Sequence, residues 1–140
     1  MIIYLINILL VDDEKDNLRL VRKYLDRKGA HVSAYSNPFL ALQDFIKNNN
    51  NDNDSNYYDL VISDIRMPEI NGIELASIIR KMNKEIPIIL MIDSGITDID
   101  HSIVKFLNIE YIITKTIELK DLIEKINTIK QKKVIVKPLV

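Results

Sequence analysis

The 140-residue chain contains no cysteine, which excludes disulfides, thiol catalysis and cysteine-ligated metal sites. It has almost no net charge. Nineteen Lys and Arg against 20 Asp and Glu leave −1, too little to draw the whole domain to nucleic acid or an anionic membrane. No helix-turn-helix or basic patch is visible that would read DNA directly. The apolar N-terminal run, MIIYLINILLV from Met1 to Val11, is too short to span a bilayer and stops at Asp12-Asp13-Glu14. It also lacks the basic lead and small-residue cleavage site of a secretory signal. It reads instead as a buried strand, and the expectation is a soluble cytoplasmic protein without a membrane partner.

What is present is an ordinary globular balance, 47% apolar and 28% charged, in a chain long enough for one core. Apolar runs alternate with helical periodicities. Ile6 to Val11 reads as a buried strand. A helix follows over Asp16 to Lys28, with Leu18, Val21, Tyr24 and Leu25 at helical spacing and Gly29 as the stop. His31 to Tyr35 is a short strand. Asn37-Pro38 caps a helix whose apolar face is Phe39, Leu42, Phe45 and Ile46. Tyr58 to Ser63 is the third strand. Asn71-Gly72 then turns into a helix with Leu75, Ile78, Ile79 and Met82 on one face. Ile86 to Ile92 is the fourth strand, Thr97 to Leu107 a weaker helix, Glu110 to Thr114 the fifth strand and Glu118 to Lys132 the last helix.

Five strands alternating with five helices imply a parallel sheet covered on both faces. Right-handed crossovers make it a doubly wound α/β sheet, and the strand order 2-1-3-4-5 puts the site at the carboxyl ends of the strands. Residues 1–132 form the expected domain. Residues 133–140 are a tail or linker remnant, and the alternation in VIVKPLV also allows a short strand or a partner-binding segment. The polar stretch NNNNDNDSN from Asn48 to Asn56 reads as an insertion without chemistry.

The polar residues at the strand ends carry the chemistry. Strand one ends in Asp12, Asp13 and Glu14, strand three in Asp64 and strand five in Lys115. Carboxylates gathered on one sheet edge cannot all stay ionised without compensation. A hard cation such as magnesium resolves the conflict and keeps waters that a phosphoryl donor can displace. Asp64 would then act as a carboxylate nucleophile on phosphorus, with Lys115 balancing charge on the transferred group. Singly, each residue is read more simply as a cap or a solvated side chain. Their convergence on strands one, three and five favours function. His31 and His101 read as surface residues, and Asp98 and Asp100 as a solvated helix start.

The blocks ILLVDDE (Ile8 to Glu14), DLVISDIRMPEINGIEL (Asp59 to Leu75), PIIL (Pro87 to Leu90) and TK (Thr114-Lys115) resemble the receiver domain of two-component response regulators, from Asn7 to about Lys132. The resemblance implies a flavodoxin-like three-layer sandwich with Asp64 as phospho-acceptor. It implies Asp13 as a direct Mg2+ ligand, Asp12 helping through water, and the backbone carbonyl of Arg66 completing the protein's share. Mn2+ is the alternative ion. Lys115 would contact the phosphoryl group. The donor would be a phosphohistidine on a sensor histidine kinase or phosphotransfer protein, and signalling would run through contacts with a downstream protein. The face of the last two strands and their helices is the candidate for homodimerisation. Such a domain is not an enzyme in the usual sense. At most it catalyses its own phosphorylation and dephosphorylation.

The chain departs from the family at the positions that read the phosphate out. Ile92 stands where the family has Thr or Ser, Asp93 where it has a small residue, and Ile112 where an aromatic switch residue sits, with Tyr111 one place earlier on the opposite face. Thr116 replaces the proline after the lysine, the residue that makes a cis bond common there. A phosphoryl group adds about 1.5–2 negative charges, and a lost hydrogen bond to a charged group is worth about 1.5–3 kcal/mol. Against the roughly 5.5 kcal/mol that flips a switch, that is a large share, so coupling to the distal face is expected to be weakened or rewired. The alternative is a pseudo-receiver, an interaction module working without phosphate. A haloacid-dehalogenase-type phosphatase would need a second Asp two residues after the nucleophile, where this chain has Arg66.

Overall fold

The computed structural model describes residues 6–49, 57–96, 98–115 and 119–136. Its elements alternate: β1 (Asn7–Val11), α1 (Lys15–Arg27), β2 (His31–Tyr35), α2 (Pro38–Asn48), β3 (Leu60–Asp64), α3 (Gly72–Met82), β4 (Ile88–Ile92), α4 (His101–Phe106), β5 (Tyr111–Thr114) and α5 (Leu119–Val136). The strands form one parallel sheet in the order β2-β1-β3-β4-β5, as the alternation of strands and helices predicts.

Because successive strand residues face opposite ways, each strand feeds two cores. Ile8, Leu10, Leu60, Ile62, Ile89, Met91 and Ile113 pack on one face with Val21 and Leu25 of α1 and Leu122, Ile126 and Ile129 of α5. Leu9, Val11, Val61, Ile88 and Leu90 pack on the other with Ala41, Leu42 and Phe45 of α2 and Leu75 and Ile79 of α3. A strand apolar on both sides reads as a continuous run, which is why these segments show no alternation.

The local signals act where they stand in the chain. Asn37 accepts the N–H groups of Phe39 and Leu40 at the start of α2, and Asn71 and Glu74 form a reciprocal capping box on α3. Gly29 ends α1 with a φ of 97°.

Several boundaries move. β4 begins at Ile88 because Pro87 has no N–H for the ladder; its carbonyl still accepts from Val61 at 3.0 Å. β3 begins at Leu60, because Tyr58 turns its hydroxyl to Asp44 (2.7 Å) and the Asp59 carboxylate accepts the Asn7 N–H at 2.8 Å. On α2 the buried face is Pro38, Ala41, Leu42 and Phe45, whereas Phe39 and Ile46 are 45% and 55% exposed. Both lie on the flanks of the apolar arc, where periodicity alone cannot tell inside from outside. α4 is six residues long, capped by Asp100, and does not reach back to Asp98. Its Phe106 is exposed. α5 continues through Val136, so the residues after 132 begin as helix and not as the short strand that their alternation allowed. Asn48 and Asn49 are the end and cap of α2. The rest of the insertion, Thr116 and the tail after Val136 lie outside the described residues.

Candidate phospho-acceptor and cation site

The carboxyl edge of the sheet holds its acids by backbone bonds that extend the ladders one residue past the strands. The Asp12 N–H reaches the Tyr35 carbonyl (3.1 Å), the Ile65 N–H the Met91 carbonyl (2.9 Å) and the Lys115 N–H the Ile92 carbonyl (2.7 Å). Asp12, Asp64 and Lys115 therefore stand at positions fixed by the sheet ladders. Asp64, the last residue of β3, is 2% exposed, and Asp12 is fully buried. Asp13 is exposed at the mouth.

Lys115 Nζ lies 2.9 Å from Asp64 Oδ2, 3.6 Å from Asp12 Oδ1, 3.8 Å from Glu14 Oε2 and 3.9 Å from Asp93 Oδ1. One ammonium thus faces four carboxylates, and Asp13 adds a fifth to the cluster. Asp12 is further held by the Glu14 N–H (3.0 Å) and by the side-chain amide of Asn17. The other Asp64 oxygen, Oδ1, is buried and has no hydrogen-bond partner among the described residues. Burial, followed by the neighbouring Asp12 and Asp13, pushes the Asp64 carboxyl up to about 6 despite the opposing pull of Lys115. Burial works against the Lys115 ammonium too, but the bond to Asp64 and the charges of Asp12, Asp64 and Asp93 outweigh it and raise its pKa.

Oxygens of Asp12, Asp13 and Asp64 lie within 4.8 Å of one another. Two ligands on opposite sides of an octahedral magnesium are about 4.2 Å apart, so small side-chain adjustments close the trio on such an ion. All three donors are hard oxygens, and the orphaned Asp64 Oδ1 is a buried acceptor that a cation would satisfy. The residues present fit Mg2+.

The loop after Asp64 is shaped by contact. The Gly72 N–H bonds the Ile65 carbonyl at 2.7 Å, and Glu69 takes a left-handed φ of 73°. The Arg66 side chain turns outward to Asp98 at 3.7 Å, both groups exposed. Of the departures from the family pattern, Ile92 is the buried last residue of β4, paired in register with Thr114. Asp93 follows it, exposed, with its carboxylate toward Lys115. Ile112 packs on the α2–α3 side of the sheet, while Tyr111 packs on the α1–α5 side beneath Lys125, whose Nζ is 4.7 Å from the ring centre. His31 and His101 are both exposed.

The structure brings Asp12, Asp13, Asp64 and Lys115 together, as their places at the strand ends predict. It adds Glu14 and Asp93 as partners of Lys115 and Asn17 as a partner of Asp12. The signal for Asn17 was its place in the first turn of α1, the turn that abuts the strand edge.

A doubly wound sheet in this order, with a lysine-paired aspartate at the end of its central strand, defines a flavodoxin-like domain with an acidic site at its carboxyl edge. Residues 8–127 match the response regulator receiver domain, and the chain belongs to that family, the receiver modules of two-component systems. It is similar to the transcriptional regulatory protein RprY of Bacteroides fragilis, 35% identical over 86 residues, which are 61% of this chain and 33% of RprY. The chain thus spans about a third of that relative's length. A receiver domain protein from Clostridium thermocellum superposes with a TM-score of 0.80 at 26% identity, covering 95% of this chain and all of that one (100%). TrrA of Thermotoga maritima, solved in complex with Mg2+ and BeF, superposes with a TM-score of 0.73 at 30% identity over 89% of this chain and 99% of its own. Receivers are signalling modules and not classical enzymes. Among the described residues no helix is long and apolar enough to cross a membrane.

Proposed function

We propose that this chain accepts a phosphoryl group on Asp64 from a phosphohistidine of a sensor histidine kinase or phosphotransfer protein, and signals through protein–protein contacts. The observation that carries the reading is the buried, unpartnered Asp64 Oδ1 beside the Asp64–Lys115 bond of 2.9 Å. One carboxylate oxygen is held and charge-balanced, and the other lacks a partner among the described residues, in a site too acidic to be left without a cation. TrrA, with its bound Mg2+ and BeF, supports the same assignment.

In this proposal an Asp64 oxygen forms the new bond to phosphorus while the P–N bond of the donor breaks. The leaving imidazole keeps the electron pair and takes a proton from solvent. Lys115 pairs with the incoming phosphoryl oxygens. Asp12, Asp13, Asp64 and the backbone carbonyl of Arg66 would hold Mg2+, or Mn2+ in its place. When bound, the ion neutralises charge on the carboxylates and on the transferring group. The chain's own catalytic share is limited to positioning, in forming the adduct and in losing it. Ile92, without a donor, leaves the phosphoryl one hydroxyl partner short, so the shift of the distal face is expected to be weakened or rewired.

The test is incubation with acetyl phosphate and Mg2+, read by intact mass. A single phosphoryl adduct is expected on the native chain and none on Asp64→Asn. No adduct on the native chain would sink the proposal.

A further inference from the structure

Lys115 is a shared cation, and its four carboxylate partners are not equivalent. Asp12 and Asp64 are buried and held by the strand ladders. Glu14 is the N-cap residue of α1, with its backbone placed by the helix start and its side chain 64% exposed. Asp93 is the first polar group after the buried, donor-free Ile92, 57% exposed, with its Oδ1 3.9 Å from Lys115 Nζ. Beyond it the Ile96 N–H reaches the Asp93 carbonyl at 3.4 Å, and α4 starts after its Asp100 cap. At the end of β4 the Ile92 side chain therefore offers the cleft no hydrogen-bond donor, and Asp93 offers it a negative charge.

We infer, resting on the phospho-acceptor reading of Asp64, that Asp93 is a positioning residue acting through Lys115: it competes with the incoming phosphoryl group for the lysine ammonium and so slows formation of the Asp64 adduct. Before transfer, Asp93 draws Lys115 toward the mouth. During transfer, about 1.5–2 negative charges arrive beyond the Asp64 oxygen, in the space that Lys115 faces. Asp93 must then either keep its hold on the ammonium or release it and face a like charge at close range. Both outcomes raise the barrier, and a neutral side chain causes neither. The transfer itself is unaltered in its bonds: Asp64 oxygen to phosphorus formed, donor to phosphorus broken. Asp93 touches neither reacting atom.

The experiment compares Asp93→Asn, Asp93→Ala and Asp93→Glu with the native chain, using acetyl phosphate at saturating Mg2+ and intact mass against time. Asn and Ala are expected to speed adduct formation by about threefold to tenfold at low salt, the scale of an exposed pair plus one repulsion. Glu is expected to stay near the native rate. Ionic strength separates charge from shape: the screening length falls from about 30 Å at 0.01 M to about 3 Å at 1 M, so the gain should shrink to less than about twofold at 1 M KCl. Equal rates for Asn and native at low salt would overturn the role of Asp93 and leave Asp64 standing. So would a gain that salt does not change, or a Glu variant as fast as Asn. No adduct on any variant would overturn the reading of Asp64 and this inference together.

Discussion

Gly72 sits so close beneath Asp64 that a β-carbon on it would lie 2.3 Å from the Asp64 carbonyl oxygen. That carbonyl also accepts the Ser63 hydroxyl at 2.9 Å. The start of α3 is thus seated directly on the backbone of Asp64. The neighbour is main chain in a central strand and cannot turn aside as a side chain would. Gly72→Ala is expected to cost about 1–3 kcal/mol, as overpacking does. Urea unfolding checks it: a lower midpoint with an unchanged slope, and slower adduct formation because the Asp64 backbone is displaced.

The raised Asp64 carboxyl predicts an unusual pH profile for the metal-free protein. In the unfolded chain the group titrates near the ordinary 3.8, and in the fold at about 6. Between those values the folded state binds the extra proton, so stability falls as pH rises through this window and levels off above it. The shift corresponds to something on the order of 2–3 kcal/mol. Asp64→Asn removes the titration and should flatten the profile. Chemical denaturation in EDTA between pH 4 and 8, native against variant, measures it. A native profile that rises with pH across the window would contradict the cause assigned to the shift.

The strand-end residues were legible in the sequence because a buried parallel strand is an unbroken apolar run, and the first charge after it marks where the sheet edge must be. Asp12, Asp64 and Lys115 each follow such a run. Where burial is one-sided, the sequence is weaker. Phe39 and Ile46 sit on the flanks of the α2 arc and face out. The polar contacts of Glu14, Asn17 and Asp93 depend on how helix and loop lean over the strand edge, and no periodicity encodes that. Ile92, Asp93 and Ile112 stood out only by contrast with the family pattern. The structure adds which core Ile112 and Tyr111 each join.

Magnesium should stabilise the native fold through the acidic trio. Binding at a hundred times the dissociation constant adds about 2.7 kcal/mol. Asp13 is exposed, so Asp13→Ala should leave the metal-free fold intact while removing its oxygens and its charge from the trio. The expected result in thermal melts with and without Mg2+ is a clear rise in the native midpoint and little or none in the variant. An equal rise in both would exclude Asp13 as a ligand.

Removing Lys115 should cost more at high pH than at low. Lys115→Met strips the buried Asp64 carboxylate of its 2.9 Å partner, and an uncompensated buried charge is expensive. Asp64 relieves the penalty by taking a proton. The loss is therefore expected to be about 2 kcal/mol or more at pH 8 and to shrink toward pH 5. In a double-mutant cycle with Asp64→Asn the two changes should couple by at least about 1 kcal/mol. Additive effects at pH 8 would show that the pair carries no energy.

Arg80 ties the far end of α4 to α3. Its Nε donates to the Leu107 carbonyl at 2.6 Å, one terminal nitrogen to Asn83 at 3.2 Å and the other to Asn108 at 3.2 Å. Leu107 and Asn108 close α4, and Asn108 turns the chain with a left-handed φ of 53°. A helix of six residues cannot hold itself and depends on such an anchor. The planar guanidinium reaches three separate carbonyls with a rigid fork, a geometry that a lysine ammonium does not reproduce. Arg80→Ala is expected to cost about 2–3 kcal/mol by leaving charge-assisted bonds unmade, and Arg80→Lys to recover less than half. Hydrogen exchange is the sharper measurement: the amides of α4 and the turn into β5 should lose protection before those of β1 and β3. Uniform loss across the sheet would mean that Arg80 supports the whole core and not this one helix.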